Sequence, residues 1–376
     1  MTTGKALNGK PYAGNPHVAP SQCYGGTGRF DEGEVASAAT PRRGSLLYKI
    51  AIIGDGGWGT ANALLLAGYG HEVTVWGAFA DYIDEIRASR RNTRYLPGVE
   101  LPASIRWTAN PAEAVDGAEV VVLASPSKFF GDVCASFAGR IPADTLTVSL
   151  TKGLCEKTHS RMSELARSIL GLKRVVVLSG PTHAEEVARG IPTAIVAAAK
   201  DLDDAKAVQA IWNGPLFRVY TSDDPVGVEL GGAVKNVIAI AVGCSDGLGF
   251  GDNTRAALIT RGLAEVVRFA CACGAQAQTI SGLSGVGDLI VTCTSRHSRN
   301  HAVGERLGRG ERISDITASM QMVAEGVWNA HVVRDRARQL GVDMPIVETV
   351  YRVCHEGLPV DDAIAALMGR PPKDER

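Results

Sequence analysis

From Tyr48 onward the chain alternates short apolar runs with longer amphipathic stretches. Runs rich in β-branched and small apolar residues lie at Lys49–Ile53, Val73–Trp76, Val120–Ala124, Leu146–Leu150, Val175–Leu178, Ala194–Ala198 and Phe217–Tyr220. Most show no apolar/polar alternation, as expected of parallel strands covered on both faces. Helical spacing appears between several of them, as at Thr60–Ala67 and Thr158–Leu170. Repeated β-α units predict an α/β, Rossmann-like, doubly wound parallel sheet. After about Asp224 the strand runs stop, and 3.6-residue periods take over at Val226–Cys244, Thr254–Cys273 and Val323–Leu340. The expected division is a sheet domain over 48–224, an all-helical domain over 225–370 and a tail at 371–376.

Residues 1–47 carry neither period and are rich in Gly, Ala, Ser, Thr and Pro, so they are expected to be a disordered leader. After Met1 the next methionine is Met162. An internal start decoded as Leu46 or Leu47 would begin the chain at its first strand and make the leader non-native. N-terminal sequencing of the mature protein that found residues 1–40 would exclude that origin.

The length of 376 residues suits two domains at roughly 100–200 residues each. Lys plus Arg number 39 and Asp plus Glu 40, so no global basic field argues for nucleic acid or an anionic membrane. Any anion site must be local. No stretch approaches the ~18 consecutive apolar residues of a membrane span, and the N-terminus lacks the apolar core of a signal peptide. The eight cysteines are scattered without a CxxC pair, and Cys271 and Cys273 are too close in sequence for a standard ligand pair, so no metal is expected. Reduced thiols in a cytoplasmic protein are the expected state.

Gly54-Asp55-Gly56-Gly57-Trp58-Gly59 fits G-x-G-x-x-G, follows a strand run and opens a helical one. Gly54 permits the tight turn, Gly56 lets the backbone approach a pyrophosphate, and Gly59 allows close helix–strand packing. The following helix start supplies free N–H groups and partial positive charge. A structural glycine turn is the competing reading. An acid at the end of the second strand would favour NAD and an arginine NADP. Trp76-Gly77-Ala78-Phe79 supplies neither, so NAD or NADP stays open.

Four further segments are candidates for chemistry. Ser149-Leu150-Thr151-Lys152-Gly153 ends a strand, where open α/β sheets bind ligands. Lys235, in Gly231-Gly232-Ala233-Val234-Lys235-Asn236, lies in an apolar helical pattern. Desolvation there would lower its pKa toward neutrality and suit it to acid–base work, while snorkelling to the surface is an equal alternative. Gly282–Leu289 is glycine-rich and carries Asp288; a helix N-cap is its plain reading. Ser295-Arg296-His297-Ser298-Arg299-Asn300 offers hydroxyls, an amide and arginines suited to phosphate. Composition alone favours a solvated turn there.

These segments, with Tyr95-Leu96-Pro97-Gly98, Leu178-Ser179-Gly180-Pro181, Gly227–Asn236, Ser245–Asn253, Ala257–Arg261 and Gly287-Asp288-Leu289, resemble the bacterial NAD(P)-dependent glycerol-3-phosphate dehydrogenases from Tyr48 to about Met368. The resemblance implies a Rossmann-like sheet followed by a helical domain like the C-terminal one of 6-phosphogluconate dehydrogenase. It implies exchange of hydride at C2 between sn-glycerol 3-phosphate and dihydroxyacetone phosphate, for phospholipid synthesis, by a homodimer. By position, Lys235 matches the lysine that exchanges a proton with the C2 oxygen, Lys152 the second active-site lysine, and Asp288 the carboxylate that orients the catalytic lysine. Asn236 and Thr292 match further members of that network. Gly180 and Thr182 match substrate-contact positions, and Ser298, Arg299 and Asn300 the phosphate triplet. Gly54, Gly56, Gly57, Trp58, Gly59, Lys152, Ala184, Arg299, Val323 and Glu325 fall at cofactor positions.

Thr182 stands where the family usually has Ser, which keeps the hydroxyl. Ala78 stands where many members carry a basic residue, which weakens the expectation of NADP. The competing readings are a β-hydroxyacid or ketopantoate-type dehydrogenase, which would want a carboxylate grip, and a non-catalytic dinucleotide sensor, which would not need Lys152, Lys235 and Asp288 together.

Overall fold

The computed structural model describes residues 46–374 apart from Gln321 and Lys373. The leader expected over residues 1–47 lies outside the described residues, except for Leu46 and Leu47.

Eight strands form one sheet: β1 (Lys49–Ile53), β2 (Glu72–Trp76), β3 (Arg106–Thr108), β4 (Val120–Leu123), β5 (Leu146–Ser149), β6 (Val175–Ser179), β7 (Thr193–Ala198) and β8 (Phe217–Ser222). Their order is β3-β2-β1-β4-β5-β6-β7-β8. Ile50 and Ile52 of β1, with Val120 and Val122 of β4, face one apolar core, while Ala51, Ile53, Val121 and Leu123 face another. Both sheet faces are therefore covered, which is why these runs lack alternation. Helices α1 (Gly57–Gly68), α2 (Ala80–Ser89), α3 (Pro111–Val115), α4 (Phe130–Ser136), α5 (Met162–Leu170), α6 (Ala184–Ala188) and α7 (Leu202–Trp212) alternate with the strands.

The sheet departs from the expected all-parallel form at one place: β6 and β7 pair antiparallel, while every other pairing is parallel. A parallel return usually runs through a helix long enough to carry the chain back along the sheet. The β6–β7 link instead holds the Gly180-Pro181-Thr182 turn and the five-residue α6, and it turns the chain back. The helix expected over Thr158–Leu170 starts only at Met162, because His159 adopts a left-handed φ of 55° and Leu154 bridges to Arg161.

Beyond Ser222 the described residues are helical: α8 (Pro225–Gly247), α9 (Asp252–Ala272), α10 (Ala277–Ile280), α11 (Asp288–Thr294), α12 (Arg299–Gly308), α13 (Ile313–Ser319), α14 (Glu325–Gln339), α15 (Pro345–His355) and α16 (Val360–Met368). They enclose a separate apolar core centred on α8. Asp224 starts α8 by accepting from Gly227 N at 2.9 Å, and its other oxygen accepts from Gln276 N at 2.9 Å. Pro225 at the first turn needs no partner for an N–H. Of the described helices, α8 alone is long and apolar enough to cross a membrane, but 89% of its most apolar window is buried in protein.

α8 and α12 meet backbone to backbone. A Cβ on Gly243 would strike the His301 carbonyl, and one on Gly304 would strike the Ile240 carbonyl and stand 2.8 Å from Cys244 N. Gly247 and Gly308 repeat the contact one turn on, against the Glu305 and Cys244 carbonyls. A methyl facing backbone cannot be absorbed by a rotamer change. Gly304→Ala is expected to lower unfolding free energy by about 1–3 kcal/mol, the scale of overpacking. In urea denaturation Gly68→Ala serves as the control: a Cβ there meets nothing within 4 Å, and stability is expected to hold or rise.

Candidate active site

The glycine loop joins β1 to α1. Gly54 has φ +129°, and a Cβ there would lie 2.7 Å from the Ala124 backbone. A Cβ on Gly59 would strike the Gly54 carbonyl, and one on Gly57 would press on the Tyr95 carbonyl. Above Gly56 a Cβ would meet nothing within 4 Å, so the backbone there is open to a close ligand. α1 begins with no side-chain cap and no acid in its first turn. Its free N–H groups and positive end fit a pyrophosphate. Ala184 packs beside the same loop.

Lys152 follows β5, at the carboxyl edge of the sheet. Its Nζ donates to Asp288 Oδ2 at 2.7 Å and to the Gly180 carbonyl at 3.1 Å. Gly232 of α8 packs beside it against Ser179, since a Cβ there would lie 2.6 Å from Ser179 Oγ. Thr182 Oγ1 also donates to Gly180 O, at 3.2 Å. From α8, Lys235 Nζ donates to Asp288 Oδ1 and, at 2.7 Å, to Thr292 Oγ1. Thr292 Oγ1 donates in turn to Asp288 O at 2.6 Å. One carboxylate thus bridges a lysine from the sheet edge and a lysine from the helical layer.

Asp288 is fully buried and Lys235 is 6% exposed, so Lys235 does not snorkel. Burial lowers the Lys235 pKa to about 7; Asp288 opposes the shift and the Lys152 charge adds to it. Asp288 opens α11 directly after a π-helical turn at Leu283–Gly287, where Gly287 N donates to Gly282 O at 3.2 Å. Gly231 of α8 lets that turn approach, since a Cβ there would lie 2.6 Å from the Ser284 carbonyl. π-turns recur at functional sites because they re-aim a side chain.

The phosphate candidates lie at the start of α12 rather than in a solvated turn. Ser298 caps it, accepting from His301 N at 3.2 Å, and both Ser298 and Asn300 are buried. Asn300 Nδ2 donates to Asn236 Oδ1 at 3.0 Å, and its Oδ1 accepts from Gly326 N at 2.8 Å. Arg299 reaches outward and donates to the Val323 carbonyl at 3.0 Å. Glu325 accepts from Ser127 N at 3.1 Å and from the Ser127 hydroxyl, and burial raises its pKa. Trp58 is partly buried, and its Nε1 has no hydrogen-bond partner among the described residues.

Sequence reasoning assigned no role to several neighbours. Ser127 anchors Glu325. The Tyr95 carbonyl backs Gly57, and Asn92 donates to Asp55 O at 2.7 Å. His183 faces His297 at 5.7 Å between ring centres, and burial, then the Lys235 charge, lowers its pKa. Buried Glu229, two turns before Lys235, accepts from Ser163 N at 2.8 Å and from Arg161 Nη1 at 2.8 Å, pinning α8 to α5. An acid in an apolar helix run was the available signal for Glu229.

Fold and site define a dinucleotide-dependent oxidoreductase with a Rossmann-like sheet and a helical layer that carries the buried Lys235–Asp288 pair. Residues 49–205 match the family described as NAD-dependent glycerol-3-phosphate dehydrogenase N-terminus, and 224–365 its C-terminus. The chain belongs to that family. It is 46% identical over 330 residues to glycerol-3-phosphate dehydrogenase (NAD(P)+) of Chlorobium phaeobacteroides (strain BS1), covering 87% of this chain and 99% of that protein. The crystal structure of glycerol-3-phosphate dehydrogenase from Coxiella burnetii superposes with TM-score 0.84 at 38% identity, covering 86% of this chain and 99% of that one. A ketopantoate reductase of Ralstonia eutropha JMP134 covers 84% of this chain and 99% of its own at TM-score 0.56 and 18% identity, a likeness of fold alone.

In a pH titration followed by 13C NMR of labelled lysine side chains, one lysine is expected to titrate at about 7 and to vanish in Lys235→Met. Asp288→Asn removes the charge that opposes burial and should move that titration lower still. Titration of every lysine in the ordinary range near 10.4 would refute the buried-lysine geometry.

Proposed function

We propose that this chain interconverts sn-glycerol 3-phosphate and dihydroxyacetone phosphate with NAD or NADP, supplying glycerol 3-phosphate for phospholipid synthesis. The observation that carries the reading is the Lys152–Asp288–Lys235–Thr292 cluster, set beside the helix that begins with Ser298-Arg299-Asn300. A bound nicotinamide supplies the hydride exchanged at C2. Gly56 and the first N–H groups of α1 would hold its pyrophosphate, and Gly57, Trp58, Ala184, Val323 and Glu325 would contact the rest of the cofactor.

In the reducing direction negative charge grows on the C2 oxygen. Lys235 gives it a proton, and Lys152 stabilises the charge before the proton arrives. Asp288 fixes both ammonium groups and Thr292 fixes Lys235, so little reorganisation remains at the moment of reaction. With both lysines protonated, two positive charges face one carboxylate, and this local excess suits an anionic substrate. Arg299 grips the phosphate through its planar guanidinium, assisted by the Ser298 hydroxyl, Asn300 and Asn236. The phosphate does not react, but its binding orients C2. Gly180 and Thr182 bound the substrate on the sheet side. A homodimer in the cytoplasm belongs to the same proposal; seven free cysteines among the described residues agree with a reducing compartment.

Lys235→Ala is expected to lower kcat by roughly 100-fold or more, the scale of a lost general acid. In wild type, reduction needs Lys235 protonated and oxidation needs it neutral. The rate of dihydroxyacetone phosphate reduction should therefore fall, and that of glycerol 3-phosphate oxidation rise, as pH increases through about 7. Steady-state profiles in both directions test this, and flat profiles from pH 6 to 9 would remove Lys235 from the proton step. Arg299→Ala should raise KM for dihydroxyacetone phosphate by roughly 10–100-fold with a much smaller change in kcat, as expected for a lost charged hydrogen bond. Unchanged KM would detach Arg299 from the phosphate.

A further inference from the structure

NAD and NADP differ by one phosphate on the 2′ oxygen of the adenosine ribose. In doubly wound sheets that oxygen is read at the end of the second strand: an acid accepts from the hydroxyl, and an arginine accommodates the phosphate. Here β2 ends at Trp76 and is followed by Gly77, which has no side chain to offer.

The structure fills that place from the glycine loop. Gly54 N donates to the Trp76 carbonyl at 2.9 Å, which ties the loop to the end of β2. The next residue, Asp55, lays its carboxyl against Gly77. A Cβ at position 77 would stand 2.6 Å from Ile83 Cδ1 and 2.8 Å from both Asp55 Cγ and Oδ2. A side chain at 77 would therefore crowd the carboxyl from 55, and glycine leaves that carboxyl its place.

The Asp55 backbone is held firmly, since its carbonyl accepts from Asn92 Nδ2 at 2.7 Å and from Thr60 Oγ1 at 3.2 Å. One oxygen of the carboxyl is not satisfied. Oδ2 is buried and has no hydrogen-bond partner among the described residues, and burial raises the Asp55 pKa. A buried acceptor without a donor is unfavourable, and a ribose hydroxyl would supply the missing donor. The neighbouring cation is Arg94, whose guanidinium lies over the Tyr82 ring at 4.2 Å. Ala78 and Phe79 bring no charge.

We propose that Asp55 reads the adenosine ribose 2′-hydroxyl in place of a strand-end acid, so that the chain prefers NAD and repels the 2′-phosphate of NADP. This rests on the dinucleotide reading of the loop and adds the choice between the two cofactors.

Isothermal titration of the apoprotein with NADH and with NADPH tests it without turnover. Wild type is expected to bind NADH roughly tenfold or more tightly than NADPH, the scale of one charged hydrogen bond. Asp55→Ser should bring the two within about threefold, chiefly by tightening NADPH, and Asp55→Asn should fall between. Adding Gly77→Asp to Asp55→Ser returns an acid to the strand end and should restore the NADH preference. The proposal is overturned if Asp55→Ser and Asp55→Asn leave the wild-type ratio unchanged. It is overturned equally if wild type binds NADPH at least as tightly as NADH, which would make Arg94 a phosphate reader. Wild type that binds neither dinucleotide would overturn the loop reading itself, and this proposal with it.

Discussion

Everything at the catalytic centre depends on Asp288 being shared. Its two oxygens take one lysine each, Lys152 from the edge of the sheet and Lys235 from the core of the helical layer. Neither lysine could be held this way alone. A buried ammonium without a partner loses its proton or stays unfolded, and a buried carboxylate without a cation is equally costly. The sharing also means that the sheet and the helices cannot drift apart without separating charges in a dry site. The bridge that, on the proposed roles, orients the proton donor is thus a structural joint as well, backed by Glu229 pinning α8 to α5 and by Glu325 holding Ser127.

α8 carries two demands that usually conflict. It is the most apolar long helix described, and it places Lys235 and Asn236 inside the protein. The conflict is resolved by glycine. Gly231 admits the π-turn that delivers Asp288, Gly232 leaves room for Ser179, and Gly243 and Gly247 admit α12. Each glycine weakens helix propensity, but each lets a neighbouring backbone or side chain come closer than a Cβ would allow.

The seven longer strands and the long helices were legible because hydrophobic period follows burial, and burial here is nearly complete on both sheet faces. β3 was not, because three residues carry no period. The β6–β7 reversal was also hidden, since apolar composition reports burial and not strand direction. At the site, Lys152, Lys235 and Asp288 stood out as charges in apolar or glycine-rich settings. Ser127, Asn92 and Tyr95 did not, because they act through one hydrogen bond or a backbone carbonyl, which leaves no mark in composition. Asp55 was visible only as one position of the glycine loop; its meaning came from where the carboxyl lies against Gly77.

The glycine seam between α8 and α12 has a consequence for what the site can accept. On the proposed roles, α8 holds the proton donor and α12 holds the phosphate grip. Backbones in contact at Gly243–His301 and Gly304–Ile240 cannot slide by a fraction of a turn, because each glycine seats on a particular carbonyl. The seam therefore works as a ruler. It fixes the span from reacting carbon to phosphate before any ligand arrives, and it measures a substrate by length as well as by charge. A longer or shorter phosphate ester could be admitted only by resetting the packing of the two helices, not by trimming a side chain at the pocket wall.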